Sequence, residues 1–226
     1  MKVLAIDTAL GACAAAVLDS RAGAMLASLS EAMTRGHAEA LMPLIARVMD
    51  AARCEFAELD RIAVTVGPGS FTGLRVGIAA ARAIALAAGK PAIGLSTLSA
   101  LAAPHVAARS DRIILAAIDA RNEQVYFQVF APNGTTIVTP RLDRVRAAVI
   151  AVPSGPTIVT GSGAELVASY WPSRAAPPRV ETHAAPDIGW VARLGAAALE
   201  QGAPPKPLYL RRPDARPQDA GRLPRR

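Results

Sequence analysis

Ala5-Ile6-Asp7-Thr8 closes the first apolar run of the chain, and Ala117-Ile118-Asp119-Ala120 closes a run of the same make in its second half. Short apolar runs bounded by turn chemistry read as buried strands. Lys2–Asp7 and Ile113–Asp119 are therefore expected to be core strands with an acid at the exit. Around the first, Gly11–Leu18 and Ala24–Ser30 are further strand candidates. The links between them are so short that they imply antiparallel hairpins or a meander. Residues 37–53 then change to helical period, with Leu41, Leu44, Ile45, Val48 and Ala52 on one face. Pro43 belongs near the first turn of that helix or kinks it.

The next segment reads as a strand at Arg61–Val66, a glycine-rich loop at Gly67–Phe71, and a helix at Thr72–Ala88 opened by Thr72 as N-cap and closed by Gly89. A strand at Ala92–Leu95 follows, and Ser96 caps another helix. After the loop around Pro104–Asp111 the order restarts. Ile113–Asp119, Gln124–Phe130 and Thr135–Thr139 are strands, 141–150 is helical, Thr157–Thr160 is a strand, and Ala164–Ser169 begins a short helix. Each half reads strand–strand–strand–helix–strand–helix, which predicts an α/β protein of two related units. The expected division is 1–109, 110–212 with a closing C-terminal helix at about Asp187–Gln201, and 213–226 as a disordered basic tail. Pro207-Leu208-Tyr209-Leu210-Arg211 reads as a short extended segment.

Composition narrows the function. Hydrophobic residues at 52% and charged residues at 19% exclude a disordered chain. Aromatics at 4% argue against a stacking platform for single-stranded nucleic acid. The formal charge of +7 is uneven: residues 206–226 hold seven cations and two acids, a net +5, and the rest only +2. Such a tail either touches phosphate or is simply solvated. Cys13 and Cys54 suggest no disulfide framework, so a reducing cytoplasm is expected. The N-terminal apolar run stops at Asp7, which does not suit a signal peptide. The charge-free stretches 91–108 and 147–164 contain proline and hydroxyl residues and do not read as membrane spans.

The sharpest segment is Gly67-Pro68-Gly69-Ser70-Phe71-Thr72-Gly73-Leu74-Arg75-Val76-Gly77. A glycine loop between a strand and a helix can offer N–H groups to an anion, with Gly69, Ser70, Thr72, Gly73 and Arg75 as the candidate contacts. It matches neither the P-loop nor the dinucleotide fingerprint, because Thr72 stands where each needs glycine. The alternative is a tight turn that lets the helix pack on the sheet. Gly73, Gly77, Ala81, Ala85 and Gly89 then make a smooth strip along that helix. Its cover is either the chain's own sheet or another subunit, with the apolar stripe of 37–53 completing a four-helix interface.

Other chemistry is weaker. His37 has Leu41 at i+4 where a second ligand would stand, and His105 and His183 lack ligand partners nearby in sequence, so no metal site is expected. Gly94-Leu95-Ser96-Thr97-Leu98 fails the nucleophile-elbow pattern at its last position. Asp7 and Asp119 either orient a metal-bound water near phosphate or accept turn N–H bonds.

Leu4–Ala9, Arg35–Pro43, the Gly67–Gly77 loop, Asp119–Tyr126 and Pro207–Arg211, in this order and spacing, resemble the TsaB (YeaZ-type) family of bacterial tRNA threonylcarbamoyladenosine synthesis. The resemblance implies a two-lobed actin-like (ribonuclease H-like) fold. It implies a non-catalytic scaffold that binds the catalytic subunit TsaD through helices 37–53 and 72–88, with His37, Leu41, Leu44, Ile45, Val48, Gly73, Val76, Gly77, Ala80 and Ala81 as interface residues. TsaD carries its metal on HxxxH, of which this chain keeps only His37. No cofactor of its own is expected; ATP and a metal ion would belong to partner subunits, among them the ATPase TsaE. The free chain is a candidate homodimer, and tRNA is met through the complex. The alternative is an independent glycoprotease-like peptidase or a small-molecule kinase of the actin-like type.

Overall fold

The computed structural model describes residues 1–200 and 202–211. The expected disordered tail beyond Pro213 and the last residue of the predicted 187–201 helix lie outside them. Three strands open the chain: β1 (Lys2–Asp7), β2 (Ala12–Asp19) and β3 (Ala24–Ala32). Helix α1 (His37–Ala51), β4 (Arg61–Gly67), α2 (Phe71–Ala88), β5 (Ala92–Ser96) and α3 (Thr97–Ala107) complete the first unit. The second repeats the order with β6 (Ile113–Asp119), β7 (Gln124–Phe130), β8 (Thr136–Arg144), α4 (Val145–Ile150), β9 (Thr157–Thr160), α5 (Ala164–Ser169), β10 (Arg179–Glu181) and α6 (Ile188–Ala197).

The two five-stranded sheets have the same order, β3-β2-β1-β4-β5 and β8-β7-β6-β9-β10. In each, the meander is antiparallel and the crossover strands are parallel to the first strand. This duplicated α/β arrangement is the actin-like fold. Ala12–Leu18 of β2 is buried at every position because the first sheet is covered on both faces. One cover is α1 and α2, whose Leu41, Leu44, Ile45, Val48, Leu74 and Ile78 meet Leu4, Ile6, Val17 and Val64. The other is α6, whose Ile188, Val191 and Ala192 meet Ala5, Ala14, Ala16 and Leu18. Alanines on that side let α6 approach closely; a Cβ on Gly195 would overlap the Ala63 methyl.

Three placements differ from the sequence reading, and for Pro43 the first of its two alternatives drops out. The N-cap of α2 is Ser70, not Thr72, because Ser70 Oγ reaches the Gly73 N–H. Residues 141–144 extend β8 instead of starting a helix; they pair with Gln124–Phe127 of β7, and the helix covers only Val145–Ile150. Pro43 stands inside α1, beyond its first turn. The C-terminal helix, expected with the second lobe, lies on the first sheet. Its apolar face matches the small residues exposed there.

Candidate functional site

Strands β1, β4 and β5 run parallel, so Asp7, Gly67 and Ser96 mark one shared end of the first sheet. Ligands in open parallel sheets gather at such carboxyl ends. The turn after β1 sits there against the glycine loop. The Ser70 N–H donates to the Ala9 carbonyl at 2.7 Å, and the Thr8 hydroxyl donates to the Gly73 carbonyl at 2.7 Å. A Cβ on Gly69 would overlap the Ala9 carbonyl, one on Gly73 the Thr8 carbonyl, and one on Gly77 the Thr8 hydroxyl. The glycines at these three positions are thus required by the close seat of α2 on the Thr8–Ala9 turn. Gly67 has φ 120°, and a Cβ there would lie 2.9 Å from the Leu208 carbonyl.

This decides the question of the smooth strip. Gly73, Gly77 and Ala81 face the chain's own first lobe and are buried. Leu41, Leu44, Ile45 and Val48 are likewise packed into the core beneath α1, and His37 is buried at its start. The expectation that these eight residues form a contact surface is corrected: folding alone covers them. Val76 and Ala80 are half-buried against the same core. What α1 and α2 present outward is a different set, including half-exposed Met42 and Leu86 at 85% exposure, with the small Ala38, Ala46, Ala79 and Ala83 beside them.

Of the five candidate anion contacts, Ser70, Gly73 and Arg75 are engaged within the chain. Ser70 Oγ accepts the Gly73 N–H, so that donor is taken. Arg75 is held by two aromatic side chains. Its guanidinium lies 3.6 Å from the centre of the Phe71 ring, and its Nε donates to the Tyr209 hydroxyl at 3.0 Å. Phe71 and Tyr209 stack at 5.3 Å, which places Arg75 in a cation–π contact at the outer edge of α2. Gly69 is half-buried and Thr72 exposed.

Asp7 and Asp119 occupy equivalent strand ends and differ in environment. Asp7 is fully buried. Its Oδ1 accepts from the Ala9 N–H and from the Thr65 hydroxyl, while Oδ2 has no hydrogen-bond partner. Burial pushes its carboxyl up to about 6, with Thr65, Ala9 and the nearby His37 opposing. Asp119 is exposed, and its Oδ1 accepts the Arg121 N–H at 2.7 Å. It is the acceptor that opens the turn through Arg121, Asn122 and Glu123, which all have positive φ.

The segment Pro207–Arg211 ties this end together. It belongs to no strand and bends at Leu210 and Arg211. The Leu208 N–H donates to the Val66 carbonyl of β4 at 2.7 Å. Arg211 Nη2 donates to the Ala120 carbonyl at 3.0 Å and to Gln124 Oε1 at 2.8 Å in the second lobe. The glycine loop, the 119–126 turn and the 207–211 segment, remote in sequence, therefore meet in one place. Thr8, Thr65 and Tyr209 were not singled out from the sequence. Thr8 and Tyr209 lie within quoted motifs, whereas Thr65 sits inside an ordinary apolar strand and gives no signal.

The two remaining histidines, expected to be isolated, stand together with Glu181 between α3 and β10. By length and composition α2 would suffice to cross a membrane; in this fold it packs on β4 and the Thr8 turn.

Comparison with known proteins agrees with this arrangement. The family model described as TsaD, tRNA N6-adenosine threonylcarbamoyltransferase, matches residues 29–174. An uncharacterized Mycobacterium tuberculosis protein is 34% identical over 95% of this chain and 94% of its own length. The Escherichia coli tRNA threonylcarbamoyladenosine biosynthesis protein TsaB is 37% identical over 56% of this chain and 54% of its own. The solved structure of YeaZ from Pseudomonas aeruginosa superposes with a TM-score of 0.78 at 26% identity, covering 92% of this chain and 99% of that one. With the motifs converging at one end of a duplicated actin-like fold, the chain belongs to the TsaD family and is a TsaB-type (YeaZ-type) member of it.

Proposed function

We propose that this chain is the non-catalytic scaffold subunit in the synthesis of threonylcarbamoyladenosine on tRNA. In this reading it binds and supports a TsaD catalytic subunit, with the ATPase TsaE joining the assembly. The complex transfers a threonylcarbamoyl group to the adenosine beside the anticodon of tRNAs reading ANN codons. The membership just described supports the pathway. The observation that carries the scaffold role is that backbone donors at this strand end are taken up within the chain. The Ala9 N–H is held by Asp7, the Gly11 N–H by the Ala184 carbonyl, and the Gly73 N–H by Ser70. Phosphate-binding loops work by leaving such donors open, and here the chain's own acceptors occupy these three. Asp7 is enclosed too deeply to orient a substrate. Leu41, where a second histidine ligand would stand, is buried in the core.

ATP and metal chemistry accordingly belong to the partner subunits, and the work is done in the cytoplasm where tRNA is found. The docking surface is the outer face of α1 and α2, where Met42, Ala46, Ala79, Ala83 and Leu86 leave apolar area in water. The test is reconstitution. Unmodified tRNA, threonylcarbamoyl-AMP and TsaD with and without this chain should give threonylcarbamoyladenosine efficiently only in its presence, and the chain with substrates alone should give none. Modification by the chain alone would overturn the scaffold role. Indifference of TsaD to the chain would overturn the partnership.

A further inference from the structure

Two of the chain's three histidines meet one glutamate at the junction of the lobes. His105 is on the last turn of α3, Glu181 is the final residue of β10, and His183 lies two residues further. Each imidazole Nε2 is 3.7 Å from Glu181 Oε2, and one ligand atom from each of the three residues falls within 4.8 Å of the others. At 3.7 Å these are not hydrogen bonds. His105 is 93% buried, and its Nε2 makes no hydrogen bond. A buried nitrogen of that kind is an unmet requirement at the centre of the cluster. Arg179 Nε takes the other carboxylate oxygen, Oε1, at 2.7 Å, which leaves Oε2 toward both imidazoles.

We propose that His105, Glu181 and His183 bind a zinc-class divalent cation. Two imidazoles and a carboxylate are a ligand set that zinc accepts. Tetrahedral bonds of about 2.0–2.2 Å put adjacent ligand atoms about 3.3–3.6 Å apart, so the two 3.7 Å histidine–carboxylate spacings close by a few tenths of an ångström, and the exposed His183 ring takes up the rest within the 4.8 Å span. His183 is half-exposed, which leaves a fourth position for water on that side. Arg179 acts as the outer partner that fixes the carboxylate.

The place of the cluster gives the ion a structural role. Glu181 accepts the Gly161 N–H through its carbonyl at 3.1 Å, and Ala184 accepts the Gly11 N–H at 3.1 Å. Residues 181–184 thus carry the chain from the edge of the second sheet to the β1–β2 turn of the first. A cation there fastens this crossing to α3. It is independent of the scaffold reading, because it touches neither α1 nor α2.

Titration of the untagged full chain with zinc chloride, read by calorimetry and by competition with a chromophoric chelator, tests the site. One equivalent should bind and should raise the melting temperature. His183→Ala, at an exposed position that the fold does not require, should weaken binding at least tenfold and abolish the thermal shift. Glu181→Gln should do the same, and so should His105→Ala if it folds. Cobalt should give d–d absorption without a thiolate band, and Cys13→Ser with Cys54→Ser should leave binding intact. The proposal is overturned by no stoichiometric binding, by binding that His183→Ala leaves unchanged, or by binding lost in the cysteine variants. In the first case the three groups form a metal-free ion-pair cluster.

Discussion

Thr8 donates its hydroxyl to the carbonyl of Gly73, a residue 65 positions away, at 2.7 Å. The bond joins the turn after the first strand to the first turns of α2 and fixes which side of that helix faces inward. Bulk on this side acts on folding. Gly77→Leu should lower the melting temperature markedly, with overpacking of about 1–3 kcal/mol as the lower range. Gly73→Ala should be comparable, because its Cβ meets backbone that cannot rotate away. Circular dichroism melts measure both. A normal melting temperature with only a changed oligomeric state would return the strip to an intermolecular role.

Asp7 predicts a pH dependence of known sign. Its carboxyl is raised to about 6 in the folded chain, against about 3.9 unfolded. The folded state then binds the proton more tightly, so its contribution is complete below about pH 4 and is lost as pH rises through 6. The shift of about two units corresponds to about 3 kcal/mol. Asp7→Asn keeps an oxygen for Thr65 and Ala9 and should flatten the fall in urea midpoint between pH 4 and 7. An unchanged slope in the variant would place the titration elsewhere.

Arg211 bridges to the second lobe while Leu208, three residues earlier, bonds to the first. Arg211→Ala should cost about 2 kcal/mol, since a charged donor loses two acceptors. Arg211→Lys should recover only part of it, because an ammonium lacks the planar fork. Limited proteolysis should cut the 202–211 segment faster in both variants, and faster in Ala than in Lys. Equal rates in all three chains would count against the segment as a tie between lobes.

The exposed apolar face gives a fourth prediction. Leu86→Glu places a charge at a position 85% exposed, so the melting temperature should stay within a degree or two while binding to TsaD weakens at least tenfold. Surface plasmon resonance with immobilised TsaD reads the second quantity. Unchanged affinity would move the docking surface off α2.

Much of the architecture is legible in the residues because apolar runs with short links leave few topologies. Asp7 and Asp119 announce the duplication by closing two runs of the same make. The misreadings have physical causes. Leu142, Val145, Ala148 and Val149 mimic a helical stripe, so the end of β8 looks helical until its pairing with β7 is seen. Strand β10 is three residues among prolines and shows no alternation. The direction of the Gly73–Gly77 strip depends on Thr8, which sequence spacing cannot bring near. The His105–Glu181–His183 cluster is invisible for the same reason: His105 lies on α3, and Glu181, at the end of β10, is 76 residues further on with His183 just beyond it. The basic tail lies outside the described residues, and its role stays with the sequence argument.

The most direct test of the scaffold account is light scattering with size exclusion on this chain, on TsaD from the same source, and on their mixture at micromolar concentration. The account predicts a single new species at the mass of the heterodimer, formed at the expense of any homodimer of this chain. Two unshifted peaks across that concentration range would contradict it.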